Sequence, residues 1–297
     1  TPRMRTLQVI DLSRAASAQL RQVLLAGALV ASLGMASPAQ TAEPDDTARP
    51  ASKVQDARPI TPDDIQALTG VHDPQIAPDG AQVLYVTQPR LATGAPDRSD
   101  IWIAARDRAS PPVRLTQGTW KEGSPRWSPD GARLAYISSD GEGAPQLHVL
   151  WMEGGADVAV TGLPDSPGSL AWSPDGSQIA YATRVPGEGL SLGSEPSGKP
   201  EGAQWAEPLE VIDKVTYRSD GGGYVKPGTA HVFVVPATGG APRQLTFGPS
   251  HDGGPLSWSR DGSTIYFGAN RKADWQSDPV ESEIYAVDLA SGGISQL

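Results

Sequence analysis

Three stretches of the chain share one pattern of apolar and polar positions. They read RWSPDGARLAYIS from Arg126, AWSPDGSQIAYAT from Ala171 and SWSRDGSTIYFGA from Ser257. In each stretch a polar tetrapeptide separates two apolar runs. The apolar residues after the tetrapeptide are consecutive rather than alternating, which is typical of a strand that is covered on both faces. The pattern therefore predicts a β-hairpin packed between two neighbouring sheets.

The tetrapeptide itself favours a type I turn. In the first copy, Ser128 suits the first turn position and Pro129 fixes φ at the second. Asp130 tolerates the third position, and Gly131 supplies the positive φ with which the chain returns as the next strand. Arg260 replaces the proline in the third copy, and a type I turn accepts this change.

The turns recur at intervals that are typical of a β-propeller. A weaker copy, IAPDGAQVLYVT, begins at Ile76, and a degenerate copy, TYRSDGGGYV, begins at Thr216. Short apolar strands recur between the turns, as in IWIAARD, LHVLWMEGG, HVFVVPATGG and EIYAVDLASGG. By subtraction of residue numbers, successive turn aspartates are 51, 45, 45 and 41 residues apart; they are Asp79, Asp130, Asp175, Asp220 and Asp261. Because periods of roughly 40–50 residues with four strands per unit indicate propeller blades, we predict an all-β chain with about five blades, the last one incomplete.

The N-terminal residues have the pattern of a secretory signal peptide. Four arginines precede the apolar run VLLAGALVASLGMA at 23–36, and small residues follow at the positions that a signal peptidase reads. We predict cleavage after Ala39, with Ala42 as the alternative, and a periplasmic or secreted location. Retention of the run as an uncleaved N-terminal anchor stays open.

The pattern divides the chain into three segments. Residues 1–39 are the predicted signal peptide, residues 40–60 are polar and proline-rich and are predicted to be a disordered linker, and residues 61–297 are the predicted partial propeller. A short helix is expected at the start of the last segment, because Thr61 can cap it and Pro62 suits its first position.

Charge and composition limit the classes of molecule that the chain is expected to bind. The chain has 24 basic and 34 acidic residues and a formal net charge of −10. Loss of residues 1–39, which contain four arginines and Asp11, changes the net charge to −13. Such an acidic chain argues against nucleic acid and anionic membranes as partners. The absence of cysteine excludes disulfides, a thiolate nucleophile and cysteine metal ligands within this sequence.

One stretch matches a hydrolase motif without its context. Residues 189–193, GLSLG, fit the G-x-S-x-G pattern around Ser191. That motif needs a buried strand before the serine and a helix after it. The flanking sequences, VPGE and SEPSGKPEG, predict neither element, so we interpret Ser191 as a loop residue.

The other candidate residues also favour structural roles. His72, His148, His231 and His251 show no metal-ligand spacing, and the two that lie in recurrent strands, His148 and His231, are typical of packed, hydrogen-bonded imidazoles. The neighbours His251 and Asp252 could form part of a catalytic triad, but adjacent residues on a loop rarely orient each other in that way.

The recurrent tryptophans and aspartates have simpler explanations than ligand binding. Trp127, Trp172 and Trp258 recur at one position of the repeat, which indicates packing between blades rather than ligand stacking. One turn aspartate per repeat cannot assemble a calcium shell, so these residues are interpreted as turn formers. The sequence therefore assigns no catalytic, cofactor-binding or metal-binding residue.

Several phrases resemble a known family. ITPDDIQALTGVHDPQIAPDG, the repeated WSPDG, and YRSDGGGYV leading into HVFVVPATGGAPRQLTFG resemble the propeller of the prolyl oligopeptidase (S9) family. The likeness is greatest to its acylaminoacyl-peptidase and dipeptidyl-peptidase-5-like branch. The R-x-D-G-x-G-Y phrase from Arg218 to Tyr224 is its most specific part, and the resemblance covers roughly residues 60–297.

The resemblance implies a propeller of seven or eight blades that restricts the access of short peptides to a C-terminal α/β-hydrolase domain with a Ser-Asp-His triad. The triad motifs are absent from this sequence, so no catalytic residue can be carried over, and the chain is expected to stop within a blade before the hydrolase domain. The resemblance implies no cofactor. It also implies no membrane partner once the signal peptide has been cleaved.

Two other interpretations stay open. A TolB-like periplasmic propeller would be a binding protein without enzymatic activity, but such proteins carry a globular domain before the blades, and the segment between Ala39 and Ile76 is short for one. The second interpretation is a free-standing propeller that binds sugars or peptides. This interpretation predicts that all blades are complete. The preferred peptide bond cannot be predicted from this sequence.

Overall fold

The structure is a computed structural model in which the described residues are 58–89, 98–116, 120–139, 141, 143–190, 198, 200–204, 211–220 and 222–297. Residues 58–66 belong to one compact unit, and the residues from Ala67 onward belong to a second. The predicted signal peptide and nearly all of the predicted linker lie outside the described residues. Among the described residues, no helix is both long enough and apolar enough to cross a membrane.

The first unit contributes one short helix, α1 (Pro62–Gln66). Thr61 begins it as predicted, because the Thr61 hydroxyl and amide both donate to Oδ2 of Asp64, each over 2.8 Å. Arg58 donates to the same oxygen over 2.6 Å. The Arg58 guanidinium, followed by the Thr61 donors, holds the pKa of the Asp64 carboxyl well below its ordinary value.

Among its described residues, the second unit contains four antiparallel sheets of four strands, and we call each of these sheets a blade. Blade 1 contains β1 (Thr69–Ile76), β2 (Gln82–Pro89), β3 (Asp100–Ala105) and β4 (Val113–Arg114). Blade 2 contains β5 (Glu122–Trp127), β6 (Arg133–Ser138), β7 (Gln146–Trp151) and β8 (Asp157–Ala159). Blade 3 contains β9 (Gly168–Trp172), β10 (Gln178–Pro186), β13 (Gly228–Pro236) and β14 (Arg243–Gln244). Blade 4 contains β15 (Asp252–Trp258), β16 (Thr264–Ala269), β17 (Glu283–Asp288) and β18 (Ile294–Gln296).

The all-β propeller prediction is confirmed, but the described residues form four blades rather than about five. The phrase around Asp220 forms a two-stranded hairpin, β11 (Arg218–Ser219) and β12 (Gly223–Tyr224), inserted between β10 and β13 of blade 3. Turn spacing alone could not separate this hairpin from a blade, although its turn is followed by Gly-Gly-Tyr-Val-Lys-Pro and not by an apolar strand. The last blade also differs from the prediction that it is incomplete, because β18 pairs with β17 as the fourth strand of blade 4.

The blades pack face to face, as the consecutive apolar residues predict. The first strands of successive blades, β1, β5, β9 and β15, contact one another in that order. In β6, Leu134 and Tyr136 pack against blade 1, whereas Ala135 packs against blade 3. A third apolar core joins blades 3 and 4, with Ile265 and Phe267 fully or almost fully buried in it. Burial on both faces stabilises each blade through its neighbours.

The recurrent tryptophans lie between blades, as predicted. Nε1 of Trp172 donates to the carbonyl oxygen of Arg126 over 2.9 Å, and Nε1 of Trp258 donates to the carbonyl oxygen of Ala171 over 3.1 Å. Each of these two indoles therefore hydrogen-bonds to the residue that precedes the equivalent tryptophan of the previous blade. This bond fixes the innermost strands side by side.

The turns also adopt the predicted geometry. The Gly131 amide donates to the carbonyl oxygen of Ser128 over 2.9 Å, and φ of Gly131 is 69°. Oδ1 of Asp130 accepts from the Ala132 amide over 3.0 Å. In the next two copies, hydrogen bonds led by Ser173 and Ser259 lower the pKa of Asp175 and of Asp261 to about 2. The carboxylates of Asp175 and Asp261 accept hydrogen bonds from serine hydroxyls and amides of their own turns, so these aspartates act as turn formers.

Successive turns stack on one another. A methyl group added at Gly131 would lie 3.6 Å from Cδ of Pro78 in the preceding turn. The same relation holds between Gly176 and Pro129, and between Gly262 and Pro174, at 3.7 Å in both cases. The prolines thus contribute contacts between blades as well as rigidity within their own turns.

Candidate functional site

The two ends of the blades differ in chemistry. One end carries the Ser-Pro-Asp-Gly turns, and the other end is where the innermost strands begin. Apart from Ser128 and Ser173 in those turns, the buried polar residues among the described ones lie at the second end: Ser99, Asp100, Thr116, Glu122, Thr183, His231, Thr246, Ser250 and Asp252. We call this second end the polar end. Because buried polar groups are costly unless they are paired, their concentration makes the polar end the candidate functional surface.

A threonine supports the polar end in three of the blades. The hydroxyl oxygens of Thr116, Thr161 and Thr246 accept hydrogen bonds from backbone amides of the third strand of their own blade, over 2.9, 3.0 and 3.0 Å. Each threonine directly follows a residue whose amide donates to the same strand. These hydroxyls satisfy one backbone amide in each of β3, β7 and β13 and so support the third strand of each blade.

The most buried charged cluster joins blades 3 and 4. Oδ2 of Asp252 lies 3.2 Å from Nδ1 of His231, and both side chains are almost completely buried. Arg271 binds the same carboxylate twice, through Nε over 2.9 Å and through Nη2 over 2.7 Å. The guanidinium also lies over the rings of Phe267 and Tyr285, 5.7 Å from each centroid. The imidazole of His231, which projects from β13, is thus packed and hydrogen-bonded to β15.

A hydroxyl completes what resembles a hydroxyl–imidazole–carboxylate relay. Oγ1 of Thr229 lies 2.9 Å from Nε2 of His231. However, Arg271 shares the carboxylate of Asp252, which reduces its ability to support the imidazole as a base. The Ala230 amide donates to Nδ1 of His251 over 3.1 Å and therefore does not face a developing oxyanion. We interpret the cluster as a tether between β13 and β15.

A second cluster joins blades 1 and 2. The carboxylate of Asp100 pairs with Arg114, and the Ser99 hydroxyl donates to the carbonyl oxygen of Glu122 over 2.5 Å. Burial raises the pKa of the Glu122 carboxyl, and the nearby Asp100 and Asp157 raise it further. Oε2 of Glu122 has no hydrogen-bond partner among the described residues. A carboxylate in this position destabilises the blade interface when it is charged.

The remaining histidines do not meet one another at a metal site. His148 lies 3.2 Å from Oδ1 of Asp157, whose Oδ2 accepts from the Tyr136 hydroxyl over 2.7 Å. His251 contacts the edge of Trp275, with ring centroids 5.3 Å apart. Burial, followed by the charge of Lys214, lowers the pKa of His251. His72 is exposed on β1.

An arm extends from the polar end of blade 3. The nine residues of β10 and of β13 pair along their full length, beyond the end of β9. At the base of the arm, the Gly187 amide and Nη1 of Arg184 both donate to the carbonyl oxygen of Pro227, over 3.3 and 2.5 Å. The hairpin β11–β12 lies in the segment of chain that joins β10 to β13. Ser191 of the G-x-S-x-G match lies outside the described residues.

Sequence reasoning missed Arg271, Glu122 and Trp275 as members of these clusters. Arg271 and Trp275 lie in the loop between β16 and β17, where no periodicity marks a position. Glu122 starts an innermost strand, and only the pairing of blades shows that it is buried. The sequence did single out the phrase from Arg218 to Tyr224, which lies between β10 and β13, but interpreted it as a degenerate copy of the blade turn.

Comparison with known proteins agrees with this architecture. Residues 204–297 match the model of the dipeptidyl peptidase IV (DPP IV) N-terminal region. An uncharacterized peptidase, YuxL, from Bacillus subtilis (strain 168) is 34% identical over 211 residues, which is 71% of this chain. The chain spans about a third of the length of that relative, 31%.

Solved structures show the fold alone at their level of identity. Uncomplexed acylaminoacyl peptidase from Pyrococcus horikoshii matches with a TM-score of 0.56 at 15% identity, over 78% of this chain and 32% of that one. TolB from Acinetobacter baumannii matches with a TM-score of 0.45 at 16% identity, over 73% of this chain and 41% of that one, too weakly to support an argument. The family model and the peptidase relative together support an N-terminal propeller like those of the prolyl oligopeptidase (S9) family.

Proposed function

We propose that this propeller controls the access of short peptides to the active site of an exported S9 serine peptidase of the acylaminoacyl- or dipeptidyl-peptidase type. The observation that carries the proposal is the match to a peptidase of which this chain spans only 31%, together with the match to an N-terminal region. The catalytic groups would then belong to a C-terminal α/β-hydrolase domain. Export rests on the signal-peptide pattern of residues 1–39.

The polar end is the surface that suits this role. Its buried ion pairs and threonine hydrogen bonds hold the ends of the blades in fixed positions, so the polar end forms a rigid boundary. A rigid boundary excludes large or folded chains and admits short peptides. The opposite end is built from repeated turns whose aspartates are satisfied by their own serines and amides.

Substrate length tests the proposal. The full-length protein should hydrolyse an N-acylated dipeptide amide, and it should hydrolyse the same residues at the end of a chain of several tens of residues far more slowly. Equal kcat/KM values for the two substrates would remove the gating role while leaving the peptidase assignment intact. A folded full-length protein that hydrolyses neither substrate would favour the TolB-like binding protein.

A further inference from the structure

The packed interfaces between successive blades, which we call seams, differ in the bonds that hold them. In the seam between blades 2 and 3 and in the seam between blades 3 and 4, the indoles of Trp172 and Trp258 donate to the preceding blade, over 2.9 and 3.1 Å. The equivalent residue of blade 2 is Trp127, and the equivalent acceptor in blade 1 is the carbonyl oxygen of Gln75. Nε1 of Trp127 is buried, however, and has no hydrogen-bond partner among the described residues. The seam between blades 1 and 2, which we call the first seam, therefore lacks the indole bond.

An arginine crosses each of the two later seams. Nη2 of Arg133 in blade 2 donates to the carbonyl oxygen of Gly176 in blade 3 over 2.8 Å. Nη1 of Arg243 in blade 3 donates to the carbonyl oxygen of Leu289 in blade 4, also over 2.8 Å. Blade 1 has Gln82 at the position of Arg133, and the part of the chain that the structure describes shows no hydrogen bond from this side chain to blade 2. The first seam thus has glutamine where the second has a bonded arginine.

The first seam also encloses a carboxyl group that is incompletely paired. Oε2 of Glu122 has no hydrogen-bond partner among the described residues, and only 6% of this residue is exposed. A buried polar atom without a partner has lost its contacts with water and gained nothing in exchange. Glu122 and Trp127 are the first and last residues of β5, so both ends of this strand carry such an atom. Opening of the first seam would return both atoms to water.

The bonds that do cross the first seam lie toward its polar end. Nη1 of Arg126 pairs with Asp73 over 2.9 Å, but the two side chains are 33% and 24% exposed, so the pair contributes little. The Ser99 hydroxyl donates to the carbonyl oxygen of Glu122 over 2.5 Å, and the Glu122 amide donates to the carbonyl oxygen of Ser99 over 3.2 Å. These bonds leave Trp127 and Oε2 of Glu122 unpaired. Of the three seams, the first should therefore open at the lowest cost in free energy.

We propose that the first seam opens while the other two stay closed, and that peptides too long for the closed propeller enter through it. The role in entry rests on the proposed function, whereas the opening itself does not. A local opening breaks the contacts of one interface only, so its free energy lies below that of global unfolding. Blades 2, 3 and 4 then form the rigid part of the boundary, and blade 1 moves relative to blade 2.

Thiol labelling of the full-length protein measures the opening of each seam. This sequence contains no cysteine, and a fully buried valine lies in the apolar core of each seam: Val86 in the first, Val149 in the second and Val232 in the third. The three single Val→Cys variants are reacted with iodoacetamide in the absence of denaturant, and the label is located by peptide mass spectrometry. Val86→Cys should react about tenfold faster than the other two, because its seam has the unpaired atoms.

The urea dependence separates local opening from global unfolding. The reaction of Val86→Cys should accelerate only weakly with urea, since opening one seam exposes little surface. Equal rates for the three variants would overturn the proposal. A rate for Val86→Cys that rises with urea as steeply as global unfolding would overturn it as well.

Two matched tryptophan variants test the cause of the difference. Trp172→Phe and Trp127→Phe remove the same atoms, but only Trp172→Phe also removes a hydrogen bond. Trp172→Phe should therefore accelerate the labelling of Val149→Cys by about tenfold. Trp127→Phe should leave the labelling of Val86→Cys unchanged or slower, because it removes an unpaired donor. An equal acceleration by the two variants would contradict the assignment of the weak seam to the missing bond.

A reversible cross-link tests the role in entry. Ser99 of blade 1 and Lys121 of blade 2 form an isolated parallel bridge across the first seam. Bridged backbones lie about 4.8 Å apart, which a disulfide can span. In the full-length variant Ser99→Cys/Lys121→Cys, oxidation should lower kcat/KM for an N-acylated octapeptide amide by about tenfold relative to the reduced form, and leave kcat/KM for an N-acylated dipeptide amide unchanged. Wild-type protein under the same oxidation is the control.

The outcomes separate this inference from the proposed function. An equal effect of oxidation on the two substrates, or no effect, would remove the role in entry while leaving the peptidase assignment intact. If the full-length protein hydrolyses neither substrate, the proposed function fails, and thiol labelling still decides whether the first seam opens.

Discussion

Removal of one member of the buried Asp252 cluster should destabilise the propeller strongly. Asp252 is fully buried and accepts two hydrogen bonds from Arg271, at 2.9 and 2.7 Å, besides its contact with His231. Breaking a buried ion pair by removing one partner costs about 3–5 kcal/mol, because the other charge stays behind without compensation. The side chain of Arg271 is 22% exposed, so after Asp252→Asn its guanidinium keeps some access to water. We therefore expect a loss of about 3 kcal/mol in the free energy of unfolding.

Removal of Arg271 instead of Asp252 should lower the free energy of unfolding further. Arg271→Met leaves the Asp252 carboxylate, which has no exposed surface, with the His231 ring nitrogen at 3.2 Å and no guanidinium, and it also removes the guanidinium from the rings of Phe267 and Tyr285. We expect a loss of about 4 kcal/mol on the same principle. The double variant Asp252→Asn/Arg271→Met should lose clearly less than the sum of the two, since neither charge is then buried alone.

Urea unfolding followed by tryptophan fluorescence measures these losses, and Trp258 at the end of β15 reports on blade 4. His148→Gln is a suitable control, because its contact with Asp157 is partly exposed and should contribute about 1 kcal/mol or less. Single variants within about 1 kcal/mol of the wild type, or losses that add fully in the double variant, would refute the view that this cluster tethers blades 3 and 4.

Three further variants test the turns and the blade 1–2 cluster. Gly131→Val should lower the free energy of unfolding by about 1–3 kcal/mol, because a β-branched residue disfavours a φ of 69°. Arg260→Pro should be neutral or slightly stabilising, because proline occupies that turn position in the other copies. Similar effects of the two changes in urea unfolding would contradict the turn assignment. Since burial raises the pKa of Glu122 in the folded state, its contribution to stability is fully present below the ordinary glutamate pKa and is lost as pH rises through the folded pKa. Glu122→Gln should therefore raise the free energy of unfolding at neutral pH and flatten its dependence between mildly acidic and neutral pH; a lower stability of the variant at neutral pH would show that the carboxylate is compensated.

Repeated local patterns made most of the fold predictable from the sequence. The Ser-Pro-Asp-Gly turn encodes its own hydrogen bonds, and consecutive apolar residues such as Leu134, Ala135 and Tyr136 indicate that both faces of the strand are covered. The blade count differed because the Asp220 turn has the right residues and spacing but no apolar strand after it. Turn chemistry is local, whereas membership of a blade depends on pairing with distant strands.

The clusters of the polar end were not predictable in this way. Asp252 lies 21 residues after His231 and 19 residues before Arg271, and only the packing of blade 4 on blade 3 brings the three together. The environment of Glu122 likewise depends on two blades. Sequence patterns show which residues repeat, and these charged residues are those that do not repeat.

Active-site labelling of the full-length protein tests the central claim most directly, namely that this chain is the noncatalytic propeller of an exported serine peptidase. A fluorophosphonate probe should label one serine beyond residue 297, with no label on residues 58–297, and Ser191→Ala should label to the same extent as the wild type. Labelling of Ser191 or Thr229, or no labelling of a folded full-length protein, would contradict the account.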